Sequence, residues 1–177
     1  FDGYMVDSNS KSLTIQVGSA VANTITFYYT RQTGDIQISK EVALDEDQLK
    51  ENPGLKLPEG EEDRLFEFTI LAKDKFHKNQ FNYTITRKNG AVETGTVSVK
   101  DSLFKELGPI NLRDGEKIVI HGLSLGDYTV KETHVIGYKT TVDAVETETM
   151  DVTLDDHGEM VAVDFLNTYP FFTGDLI

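Results

Sequence analysis

The chain contains no cysteine, which excludes disulfides and thiolate metal sites. No apolar run reaches the length needed to span a bilayer. No secretory leader is present, and the sequence opens at Phe1 in the middle of a strand-like pattern, so we expect a mature fragment of something longer. Basic residues are scarce: 17 Lys and Arg stand against 30 Asp and Glu, a net charge of −13. That balance argues against nucleic acid, whose phosphates need neutralising, and against docking on anionic lipid. It suits a soluble protein crowded among copies of itself, because like charge resists aggregation. Without disulfides, a secreted protein of this kind needs another source of robustness. Metal and cofactor sites are not expected. Asp45-Glu46-Asp47 and Asp155-Asp156 lack calcium-loop spacing, and His77, His121, His134 and His157 are scattered.

What the sequence does have is a hydrophobic period of two. Strands are expected over residues 24–29, 36–42, 65–72, 81–87, 94–100, 117–120, 128–133, 138–145, 150–154 and 160–166. Turn chemistry separates them at Asn89-Gly90, Asp114-Gly115, Leu125-Gly126-Asp127 and His157-Gly158. Short strands at near-regular spacing predict an all-β, antiparallel Ig-like sandwich with an additional N-terminal β segment. Helical turns fit only residues 45–52 and 102–107. Residues 30–34 read as a linker, and residues 53–63, rich in Pro, Gly and acid, as a long surface loop. The expected division is 1–32 as the closing strands of an upstream repeat or as added strands, 33–168 as the sandwich, and 169–177 as a tail.

Three polar residues break the apolar rows. In 36–40 the inward face is Ile36 and Ile38, and Lys40 shares their parity. Glu132 follows Tyr128 and Val130 in the same way, and Asn167 follows Val161, Val163 and Phe165. Each alone is explained by a strand surfacing at its end, by a snorkelling lysine stem, or by a turn. Together they place an amine, a carboxyl and a carboxamide inward, at the ends of three rows in one domain. Asp164 has the wrong parity to replace Asn167, Lys131 lies opposite Glu132, and Lys50 and Lys56 fall in loop-like sequence.

Gly126-Asp127-Tyr128-Thr129-Val130-Lys131-Glu132-Thr133 with Gly137-Tyr138 resembles the E-box of collagen-adhesin B-type (Cna B-like) and streptococcal pilin isopeptide-linkage domains. Gly34 to Lys40 resembles their first strand with its reactive lysine, Val163 to Tyr169 their last strand with its reactive asparagine, and Leu112 to Leu123 the segment before the E-box. The resemblance spans residues 33–169. It departs from the pattern at His134-Val135-Ile136, a shorter gap with no proline, and it lacks the lysine-bearing motif that joins shaft subunits. Residues 1–30 resemble, more loosely, the closing strands of mucin-binding-like and internalin-type repeats.

The resemblance implies an autocatalytic isopeptide bond between Lys40 and Asn167, with Glu132 as the promoting acid. This is single-turnover self-modification rather than enzymatic turnover. It implies a stalk or pilin-type module anchored in the cell wall of a Gram-positive bacterium, with neighbouring domains or subunits as partners. Tyr169-Pro170-Phe171-Phe172-Thr173-Gly174 resembles a sortase sorting signal with one residue too many, which would make Thr173 the acyl donor; a plain tail explains it slightly better. A ligand-binding adhesin domain that grips host glycan or matrix protein is the competing expectation.

Overall fold

In the computed structural model, the described residues are 3–6, 11–12 and 24–169. Among them are thirteen strands: β1 (Tyr4–Val6), β2 (Tyr29–Arg31), β3 (Thr33–Leu44), β4 (Phe66–Ala72), β5 (Gln80–Thr86), β6 (Val92–Ser98), β7 (Glu106–Leu112), β8 (Glu116–Ser124), β9 (Gly126–Glu132), β10 (Lys139–Val142), β11 (Val145–Glu146), β12 (Thr149–Leu154) and β13 (Met160–Tyr169). The α-helix α1 (Glu46–Glu51) is capped by Asp45, whose carboxylate accepts from the amides of Asp47 and Gln48.

A seven-stranded sheet in the order β11-β10-β13-β3-β8-β5-β6 faces a four-stranded sheet in the order β12-β9-β4-β7. Their inner faces carry the alternating residues that the period of two demands: Ile36 and Ile38 on β3, Phe66, Phe68 and Ile70 on β4, Ile118 and Ile120 on β8, Val163 and Phe165 on β13. The pairings are antiparallel except one. The first strand of the sandwich and the last, β3 and β13, run parallel at the centre of the large sheet, paired from Asp35↔Met160 to Leu44↔Tyr169. The two strands of the sandwich farthest apart in sequence are therefore neighbours in space.

The structure departs from the sequence reading in several places. Residues 30–34 are not a linker. They hold the end of β2 and the start of β3, with Gln32 alone between them. A Cβ on Gly34 would lie 2.9 Å from the Glu159 carbonyl oxygen, and Asp35 N donates to that same oxygen at 2.8 Å. The glycine serves a close backbone approach, not flexibility. Residues 24–28 are irregular rather than a strand; among the described residues the N-terminal segment forms just the two-stranded β1–β2 pair. Residues 102–104 form a turn, and Glu106 already begins β7. Residues 138–145 are divided by a turn at Asp143-Ala144, both with positive φ. The stretch Leu13-Thr14-Ile15 and the tail with Thr173 lie outside the described residues.

Among the described residues no helix is long and apolar enough to cross a membrane, and no group of three His, Asp or Glu is placed to hold a metal ion.

Candidate functional site

Lys40 lies on the inward row of β3, which runs on to Val42, Asn167 on that of β13, and Glu132 ends that of β9 in the opposite sheet. A row that continues its parity to the last residue keeps that residue in the core, and all three are buried, with 2 %, 0 % and 1 % of their surface exposed. The parallel register pairs Lys40 with Phe165 and Val42 with Asn167, so the amine and the carboxamide project from adjacent strands two positions apart. Glu132 comes down on them from above. One of its oxygens accepts from Asn167 Nδ2 at 2.7 Å, and Lys40 Nζ lies 3.3 Å from each carboxyl oxygen. The carboxyl thus bridges the amine and the carboxamide.

The walls are aromatic. Lys40 Nζ sits 4.4 Å from the centroid of the Phe66 ring, and Phe68 meets Phe165 edge-on at 5.0 Å. Tyr138 extends the wall, edge-on to Phe66 at 5.5 Å and to Tyr169 at 5.2 Å, and its hydroxyl donates to Glu61. This dry setting governs the charges. Burial pulls the Lys40 ammonium down to about 8 against the opposing pull of Glu132, and burial pushes the Glu132 carboxyl above its usual range against that of Lys40. Both shifts favour neutral groups. Asn167 Oδ1 is buried with no hydrogen-bond partner among the described residues.

Of the residues weighed against these three, Asp164 points outward, where Ser39 donates to it. Lys131 is exposed, Lys50 pairs with Asp47 on α1, and Lys56 lies in the 53–63 loop. The histidines do not converge. His121 bridges Asp35 Oδ2 at 2.8 Å and Thr84 Oγ1 at 2.9 Å on the outer face of the large sheet.

Sequence reasoning missed a second group beside the site. Asp114 in the β7–β8 turn and Glu116 at the start of β8 are buried acids. Glu116 is paired with Arg87 and accepts from Arg113 N. Asp114 accepts from Val42 N at 2.9 Å and is paired with Lys88 at 2.5 Å. Only the turn signature Asp114-Gly115 was visible in sequence; a buried acid in a turn carries no periodic mark.

No curated protein matches the chain. Among solved structures it is similar to the pilus-presented adhesin Spy0125 (Cpa), with TM-score 0.55 and 21% identity over 78% of this chain and 28% of that one. It is likewise similar to the major pilin from Streptococcus pyogenes, with TM-score 0.54 and 21% identity over 89% of this chain and 54% of that one. The chain thus spans about a quarter and about half of these proteins, and at such identity the likeness is one of fold: a β-sandwich of the kind found in streptococcal pilins and pilus adhesins. Residues 34–169 match a family model described as "Domain of unknown function (DUF7601)", and the chain belongs to that family.

Proposed function

We propose that this chain is a structural, tension-bearing module of a Gram-positive surface protein or pilus, closed by an amide between Lys40 and Asn167. The observation that carries the reading is the buried Glu132 carboxyl held against both the Lys40 amine and the Asn167 carboxamide. The neutral amine attacks Cγ of Asn167, forming the Nζ–Cγ bond. Turning the carboxamide over aims Oδ1, which lacks a partner, at Glu132. A protonated Glu132 then donates to that oxygen and stabilises the developing oxyanion. Glu132 relays a proton from Nζ to Nδ2, the Cγ–Nδ2 bond breaks, and ammonia leaves. The fold supplies proximity that makes the step intramolecular. Residues 33–168 form the cross-linked domain, and its partners are neighbouring domains or subunits of the same surface protein.

The similar structures, a pilus-presented adhesin and a major pilin, support such a setting. Intact-mass measurement tests the reading. The purified chain is expected to be one ammonia lighter than its sequence, with a digest yielding a branched peptide that contains Lys40 and Asn167. The full unmodified mass overturns it.

A further inference from the structure

Asp114 lies beside the three residues without touching the reacting atoms, and its position explains why it is buried. The β3–β8 ladder ends at Lys40↔Glu116, where the chain turns back through Arg113, Asp114 and Gly115. Beyond that point β3 has no β8 backbone to pair with, yet it must stay straight through Val42, the residue opposite Asn167. The turn supplies the missing partners. Gly115 N donates to the Lys40 carbonyl at 2.9 Å, and Asp114 Oδ1 takes the place of a strand carbonyl by accepting from Val42 N at 2.9 Å. The backbone that follows the Lys40 side chain, from its own carbonyl to Val42, is thus fixed by one turn.

Its charge works in the other direction. Two acids act on the Lys40 amine: Glu132 from β9 and Asp114 from the turn, both favouring the ammonium form that cannot attack. Glu116, opposite Lys40 on β8, is turned to Arg87 and Arg113. Lys88, at the start of the β5–β6 turn, reaches Asp114 Oδ2 and offsets its charge. The pair keeps the clamp and cancels much of its field.

We propose that Asp114 is a positioning residue for bond formation between Lys40 and Asn167, and that Lys88 tunes the reaction by neutralising it. This rests on the cross-linking reading above. Removing the clamp lets Lys40 drift relative to Asn167, and small misplacements of reacting groups cost rate steeply.

The test follows the loss of ammonia in freshly synthesised full chain. Cell-free synthesis is stopped after a short pulse, aliquots are quenched into acid denaturant, and intact mass gives the converted fraction against time at several pH values. Asp114→Ala is expected to slow conversion roughly 10- to 100-fold. Asp114→Asn keeps the acceptor for Val42 N and drops the charge, so it converts at least as fast as the parent and its rate profile moves to lower pH. Lys88→Met leaves Asp114 unbalanced and moves the profile to higher pH, and Asp114→Asn in that background moves it back. A purely structural role for the turn shifts no pH profile.

Parental conversion rates in Asp114→Ala, or unmoved profiles in both Asp114→Asn and Lys88→Met, overturn the inference while leaving the cross-link intact. If Asp114→Ala does not fold, the two profiles decide alone. A parent chain that never loses ammonia overturns the cross-link itself, a separate result.

Discussion

Glu132→Gln is the most informative single change. Glutamine fills the same space between β9 and the Lys40–Asn167 pair but carries no ionisable carboxyl, so the bond is expected not to form. The unfolded chain then gains the freedom of a loop running from residue 40 to residue 167. By the chain-entropy treatment used for disulfides, closing a loop of well over a hundred residues is worth about 5 kcal/mol. For a domain the size of residues 34–169, that corresponds to a fall in Tm of roughly 15–20 °C. The observed fall should exceed this, because Lys40 remains buried without its counter-charge. The double variant Lys40→Met with Glu132→Gln removes that charge, so its deficit isolates the share of the bond. The assay pairs calorimetry with intact mass on the same samples. A Glu132→Gln chain that still loses ammonia refutes the role of the carboxyl. One that loses none, yet melts within about 5 °C of the parent, refutes the assigned energetics.

Asn167→Ala, which cannot form the bond, should become more resistant to urea as pH rises from about 8 to 10.5, because the folded Lys40 pKa lies below its unfolded value and the cost of burying the ammonium is relieved across that window. The same variant should lose the contribution of Glu132 as pH rises from 4.5 through its raised folded pKa; a parent whose Lys40 is an amide should lack the first transition but keep the second, because Glu132 stays buried and no longer feels the opposing pull of the Lys40 charge. Gly34→Ala should cost about 1–3 kcal/mol in a denaturant titration, since the new Cβ would lie 2.9 Å from the Glu159 carbonyl and 3.2 Å from Leu154 Cδ2. A single molecule pulled through Thr33 and Tyr169 should release no unfolding length between residues 40 and 167, whereas Glu132→Gln should extend by roughly 400 Å.

The sandwich was legible because its inner faces obey a period of two with little interruption, and the parity of Lys40, Glu132 and Asn167 was legible for the same reason. Burial at a strand end depends on whether the partner strand continues past it, as β13 does alongside β3, and that is a tertiary fact. β7 escaped notice because Gly108-Pro109 interrupts its pattern; a strand at the edge of its sheet, beside β4, tolerates a proline there. Residues 24–29 misled in the opposite sense: their alternation is real, but the described residues offer them no second layer, and Phe27 and Tyr28 stay exposed. Asp114 was unreadable because its partner, Val42 N, is distant in sequence and its burial follows from where a ladder stops.

The parallel pairing of β3 with β13 has a further consequence. The chain enters the ladder at one end, near Asp35 and Met160, and leaves it at the other, near Leu44 and Tyr169. A pull between Thr33 and Tyr169 therefore slides the two strands along each other and loads their ten paired positions together, in shear. An antiparallel pairing of the same strands would bring entry and exit to one end, and the ladder would unzip one rung at a time. Modules of this topology joined head to tail would make a string whose weakest direction is never the one along which it is pulled.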